Sequence, residues 1–266
     1  MITSTSNPKI KWVRALNARA RTRQSERAFV VEGVRLVEEA YQAGWEAHLV
    51  LYTEGLNERG RKLTAAYTDR SVLVELVSPE VMASASDTHT PQGLLAVLPM
   101  QELPIPETAD FVFIPDAVRD PGNLGAMLRT CAAAGVSAAF IPPETVDQFS
   151  PKVLRAAMGA HFRLPVFDLS WGEIRIRLEE SGLQVYLAAA STGVVYTEAN
   201  FRAPLALIVG SEAAGAGQTA RETADTRVHI PLPGGMESLN AAAAAAILLF
   251  EVVRQRNNDQ PGNSHD

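Results

Sequence analysis

The sequence predicts an α/β protein in two parts, a small N-terminal α/β domain at 1–99 and a parallel-sheet α/β domain at 109–257. Three observations carry this. From Phe111 onward, short apolar runs alternate with helical patterns, as in a parallel sheet covered on both faces. The stretch QELPIPET, 101–108, has two prolines and little to bury, so the linker is placed at 100–108. A chain of 266 residues, 47% hydrophobic and 20% charged, suffices for two ordinary globular cores. The polar end, 258–266, is expected to be a disordered tail.

Residues 8–23 read as a helix with Ile10, Val13 and Leu16 on one side. Phe29-Val30-Val31 opens a compact unit with helices at 35–43, 59–67 and 79–84 and strands at 48–52, 72–77 and 93–98. In the second part, strands are expected at 111–115, 138–142, 164–168, 184–190 and 205–210. Helices are expected near 123–134, 151–158, 171–181 and 218–224. A short strand at 228–231 leads into the turn Pro233-Gly234-Gly235. Ser238 is then the expected N-cap of a helix starting near Leu239. That helix is apolar nearly all round: Ala241 to Ala246 allow another backbone to approach closely, and Arg254 and Arg256 suit its negative end.

The net charge of -6 speaks against indiscriminate binding of nucleic acid, but the charge is unevenly placed. Lys9, Lys11, Arg14, Arg19, Arg21, Arg23 and Arg27 face only Glu26 within 1–27, an excess of +6. Such a basic face on an otherwise acidic protein holds phosphates locally, and these seven are the candidate RNA-binding residues. The single Cys131 is expected in the core, and five scattered histidines without ligand spacing give no metal site. No apolar run approaches the roughly 20 residues of a membrane span, and MITSTSNPKIKW lacks a signal-peptide core, so a cytoplasmic location is expected.

Sites in parallel sheets lie beyond the strand C-termini, which selects the loops after 115, 209 and 231. The first, DAVRDPGNLG at 116–125, opens a helix that carries Arg129. The second, GSEAAG at 210–215, has a glycine that lets backbone come close to a ligand and, in Glu212, a charge where burial is expected. Neither is a phosphate-binding glycine pattern, so a nucleotide held through its phosphates is not expected.

Taken in order, the three loops resemble the signatures of the SpoU branch of the SPOUT superfamily, RNA ribose 2'-O-methyltransferases that use S-adenosylmethionine. Asn123, Gly125 and Arg129 match the first motif, and Gly210, Glu212 and Gly215 the second. Ile230-Pro231 with Ser238-Leu239-Asn240 match the third. The resemblance spans 108–257. RAFVVEGVRLVEEA, ending at Ala40, and SDTHTPQGLLAVL at 86–98 are similar to the substrate-binding domain of the ribosomal-RNA members. Ala241 and Ala242 depart from the Val-Ser that members often carry.

The resemblance implies a C-terminal trefoil knot, a homodimer and an S-adenosylmethionine site contacted by Gly210, Ile230 and Leu239 and bordered by Ala189 and Ser191. It makes Arg129 the catalytic arginine, with Asn123, Glu212, Ser238 and Asn240 holding geometry. A guanidinium with a pKa above about 12 is an awkward base, so stabilisation of the developing alkoxide is the favoured role. The separate N-terminal domain points to ribosomal RNA, 23S, as the expected substrate; a tRNA enzyme and a non-catalytic RNA-binding protein with the same fold are the alternatives.

Overall fold

A computed structural model describes residues 1–107, 109–211 and 215–257. It separates into two compact units, one of Met1–Gln101 with Asp147–Phe162, the other of Glu102–Val146 with the chain from Arg163 onward.

The first unit opens with α1 (Pro8–Ala18) and α2 (Ala20–Glu26), two helices where the hydrophobic pattern predicts one. The break is at Arg19, whose backbone is extended (φ -134°, ψ 117°). It lets α2 turn Arg23 inward while α1 keeps Ile10, Val13 and Leu16 on the core. Next come β1 (Ala28–Glu32), α3 (Val34–Gln42), β2 (Leu49–Tyr52) and α4 (Glu58–Asp69), then β3 (Val74–Leu76), α5 (Pro79–Ala85) and β4 (Leu94–Pro99). Asn57 and Ser78 cap α4 and α5 by accepting from the Gly60 and Val81 amides. The sheet order is β1-β4-β2-β3, with β4 antiparallel to both neighbours and β2 parallel to β3. One face of this sheet packs Val30, Leu49, Leu51, Leu95 and Val97 against α1 and α5.

The second unit begins with β5 (Phe111–Pro115), every residue of it buried, followed by α6 (Pro121–Ala134) and β6 (Ala138–Ile141). At this point the chain supplies Asp147–Phe162 to the first unit, including α7 (Pro151–Ala157). There Phe149 lies 4.8 Å from Phe29 and Phe162 lies 5.2 Å from Trp45, ring centre to ring centre. The second unit resumes with β7 (Val166–Asp168), α8 (Trp171–Glu180), β8 (Gln184–Ala189), β9 (Val194–Val195), β10 (Leu205–Val209), α9 (Gln218–Thr223), β11 (Thr226–His229) and α10 (Ala241–Asn257). Its seven strands are all parallel, in the order β7-β6-β5-β10-β8-β11-β9. The two-residue β9, held at the sheet edge by β11, has no sequence signal of its own.

The start of α10 corrects an expectation. Asn240, not Ser238, caps this helix: its side-chain oxygen accepts from the Ala243 amide (3.1 Å) and its carbonyl from the Ala244 amide (2.9 Å). Ser238 and Leu239 are thereby left outside the helix. Ala245, Leu248, Leu249 and Val252 are buried, while Ile247 and Phe250 remain 37% and 49% exposed. The far end of α10 is tied by Gln255, which accepts from the Phe201 amide (2.9 Å) and donates to the Ala199 carbonyl (3.0 Å). Cys131 is fully buried, as expected, and burial pushes its thiol well up from the ordinary value. No helix among the described residues is long and apolar enough to cross a membrane.

Candidate functional site

Because the second sheet is wholly parallel, its strand C-termini share one edge. The register places Val209 beside Pro115, and His229 beside Ala189. The loops selected from sequence therefore converge. Asp116, directly after β5, donates its amide to the Val209 carbonyl (2.9 Å) and accepts at its carboxylate from the Gly217 amide (2.6 Å). Burial raises its carboxyl above the usual range, and the Gly217 amide opposes that shift. Asp120 caps α6 by accepting from the Asn123 amide (2.8 Å). The Asn240 side chain in turn donates to the Asn123 side-chain oxygen (3.0 Å), which ties the first loop to the third.

A cavity of about 450 Å³ opens at this edge, lined by Ala188, Ala189 and Ala190 after β8, by Val209, Gly210, Ser211 and Gly215 around the second loop, and by Val228, Ile230 and Leu232 on the third. Glu237, Ser238, Leu239, Ala241, Ala244 and Leu248 complete it. Gly210 is required by close backbone approach, since a Cβ there would lie 2.4 Å from the Ala216 nitrogen. A second cavity of about 320 Å³ is lined by Ala117, Val118, Arg119, Asp120, Asn123 and Glu144, together with Ala216 and Gly217. Ser211, Gly215 and Ala241 line both cavities, so small residues form the boundary between them.

Of the expected cofactor contacts, Gly210, Ile230, Leu239 and Ala189 line the larger cavity and Ser191 does not. Ser238 lines it too, and Asn123 lines the smaller one. Glu212 lies outside the described residues. Arg129 is exposed on α6, borders neither cavity, and has no hydrogen-bond or ion-pair partner among the described residues. Sequence reasoning missed Asp116 and Glu237; a charged residue directly after an all-apolar strand was the available signal for Asp116.

In the first unit, Lys11, Arg14, Arg19, Arg21 and Arg27 are exposed. Lys9 is half-buried and pairs with Glu75. Arg23 must be removed from the expected RNA-binding set. Its guanidinium is buried, pairs with Asp147 (Nε to Oδ2, 2.8 Å) and donates to the Leu16 and Asn17 carbonyls. The sequence gives its charge but not its direction, and the turn at Arg19 sets that direction.

Residues 110–250 match the SpoU rRNA Methylase family, and residues 7–96 match the MRM3-like substrate binding domain. The 23S rRNA (guanosine(2553)-2'-O)-methyltransferase RlmP of Bacillus subtilis is 35% identical over 252 residues, which cover 94% of this chain and 98% of that protein. The AdoMet-bound rRNA methyltransferase from Sinorhizobium meliloti superposes with a TM-score of 0.84 at 32% identity, covering 95% of this chain and 97% of that one. The SpoU methyltransferase AviRb from Streptomyces viridochromogenes, in complex with AdoMet, gives 0.85 at 27% identity, covering 95% and 100%.

Proposed function

The chain belongs to the SpoU rRNA methylase family, whose members are S-adenosylmethionine-dependent RNA ribose 2'-O-methyltransferases, and from this premise we propose that it methylates 23S ribosomal RNA. The observation that carries the reading is the pair of adjoining cavities at the C-terminal edge of the parallel sheet. The larger one fits S-adenosylmethionine: its walls are small and apolar, Gly210 admits close backbone approach, and no phosphate-binding pattern is present. Gly210, Ile230, Leu239 and Ala189 are the proposed contacts. The smaller cavity, reached past Asn123, receives the acceptor ribose.

S-adenosylmethionine supplies an electrophilic methyl group on its sulfonium. The chain's residues then have to present a ribose 2'-oxygen in line and stabilise it as its proton leaves, because a hydroxyl is a weak nucleophile. The role of oriented donor for the developing alkoxide and the neighbouring phosphate falls to Arg129 by the family resemblance, and it has no hydrogen-bond or ion-pair partner among the described residues. Asn123 and Asn240 hold each other, and with them the first and third loops; Ser238, which lines the larger cavity, is proposed to help fix the geometry there.

RNA is held first by the N-terminal domain, 1–99, through the exposed Lys11, Arg14, Arg19, Arg21 and Arg27. Catalysis is assigned to the second unit, 102–146 with 163–257, the intervening 147–162 belonging to the first. We place the enzyme in the cytoplasm on its similarity to a bacterial rRNA methyltransferase, and propose a homodimer because Ala243, Ile247 and Phe250 form an exposed stripe along α10 at helical spacing. The sheet order supports the knot: β10 inserts between β5 and β8, and β11 pairs beyond β8. The test is incubation of the full chain with labelled cofactor and either unmodified 23S RNA or unmodified tRNA. Label mapped to one ribose of 23S RNA is the expected result, and label in tRNA alone overturns the substrate assignment.

A further inference from the structure

Among the described residues that line the larger cavity, Glu237 is the one bearing a charge; the rest are alanine, glycine, serine and aliphatic side chains. Ala241 and Ala244 belong to the first turn of α10, so the positive end of a 17-residue helix also faces this space. Such a site is poor for a cation unless a carboxylate offsets it. The cofactor and its product differ in that respect. S-adenosylmethionine carries a sulfonium, an ammonium and a carboxylate and so has one net positive charge, whereas S-adenosylhomocysteine has lost the sulfonium charge and is neutral overall.

We propose that Glu237 selects the charged cofactor over its neutral product, so that methyl transfer itself weakens what remains in the cavity. In the transfer, the ribose oxygen forms a bond to the methyl carbon as the sulfur–carbon bond breaks. The bonding pair stays on sulfur, which becomes an uncharged thioether, and the hydroxyl proton passes to solvent. The attraction between the Glu237 carboxylate and the ligand's net positive charge is lost in that step, while every uncharged contact along the cavity is kept. Binding that falls as the reaction proceeds favours turnover, because product leaves without competing for the site. This rests on the cofactor reading above and adds to it a residue outside the contacts already proposed.

The test is calorimetric titration of the full-length protein with three ligands: S-adenosylmethionine, S-adenosylhomocysteine, and an analogue bearing a protonated amine in place of the sulfonium. Glu237→Gln should weaken the two charged ligands about tenfold and S-adenosylhomocysteine less than about twofold, consistent with loss of a partly screened charge pair. Retained thioether binding shows that the variant is folded. Glu237→Asp should restore most of the preference, and added salt should reduce it in the wild type but not in Glu237→Gln. Equal weakening of all three ligands, or no change in any, overturns the proposal. A wild type that binds neither cofactor nor product overturns the cofactor reading itself.

Discussion

The sheets of the two units differ in strand direction, and that difference decides where each unit has polar groups to offer. In the first unit β1, β2 and β3 run one way and β4 runs against them, so the sheet is mixed and one of its four strand C-termini falls on the opposite edge. Many of its polar side chains are tied within the unit. Arg23 pairs with Asp147, and Glu32 accepts from the Ser86 hydroxyl (2.6 Å) and the Asp87 amide (3.3 Å). In the second unit all strands point one way, and the loops after β5, β10 and β11 meet over two cavities. There Arg129 lacks a partner among the described residues, and Glu237 and Ser238 are exposed. The mixed sheet, its polar side chains largely tied within the unit, leaves exposed charge for recognition, whereas the wholly parallel one collects unspent polar groups at a single edge.

The largest expected effect tests whether Arg129 is held in reserve for chemistry. Arg129→Lys keeps the charge but replaces a planar donor fork by a flexible, strongly hydrated ammonium. Single-turnover methyl transfer should fall 100- to 1000-fold, about 3 to 4 kcal/mol, while cofactor affinity stays within a few-fold. A variant that kept more than about a tenth of the rate would rule out the oriented-donor role, since about 1.4 kcal/mol or less is too small for it.

Two measurements probe the tied side of the comparison. Asp147→Ala removes the partner of a guanidinium whose side chain is 5% exposed, and the loss in urea-measured stability should be about 3 kcal/mol. Cofactor affinity should not move; a loss below about 1 kcal/mol would show the pair to be as weak as a surface one. His161, buried in the same segment, has its pKa pushed down to about 4 by desolvation. Its unfolded value is near 6.5, so between these pH values the unfolded chain takes up a proton that the folded one refuses. Stability is therefore full above about pH 6.5 and falls as pH drops toward 4, by roughly 3 kcal/mol in all. His161→Phe should flatten that slope, and an unchanged slope would assign it to other groups.

The smallest effect is expected at the surface. Arg19→Ala should weaken RNA binding a few-fold for every sequence tried and reduce the slope of log affinity against log salt by about 1. An unchanged slope would remove Arg19 from the phosphate contacts.

How much of this was legible beforehand follows the same divide. Strands such as Phe111–Pro115 and Leu205–Val209 are buried on both faces, so they read directly as unbroken apolar runs, and the motif loops could be placed from them. What escaped depended on distant partners. The inward turn of Arg23 is fixed by Asp147, far along the chain, and a pattern of charges cannot report that. Segment 147–162 lies between two parallel strands and looks like an ordinary crossover, yet it packs in the first unit through Phe149 and Phe162. The α10 cap went to Asn240 over Ser238 because both residue types are good caps, and Asn240 also bonds Asn123.

That crossover segment has a consequence for the order of events during synthesis. The first unit begins at Met1 but includes residues as late as Phe162, so it remains incomplete when Gln101 leaves the ribosome. At elongation rates of about 5–20 residues per second, its missing piece emerges at least a few seconds later. Throughout that interval Arg23 is without Asp147, and the Phe29 and Trp45 rings are without Phe149 and Phe162. The core around α1 and α5 is made wholly of residues up to Val97, so it can form in that interval while these closing contacts wait. Completion of the first unit waits for β5, α6 and β6 to have been made, so its last contacts form only after synthesis of the second unit has begun.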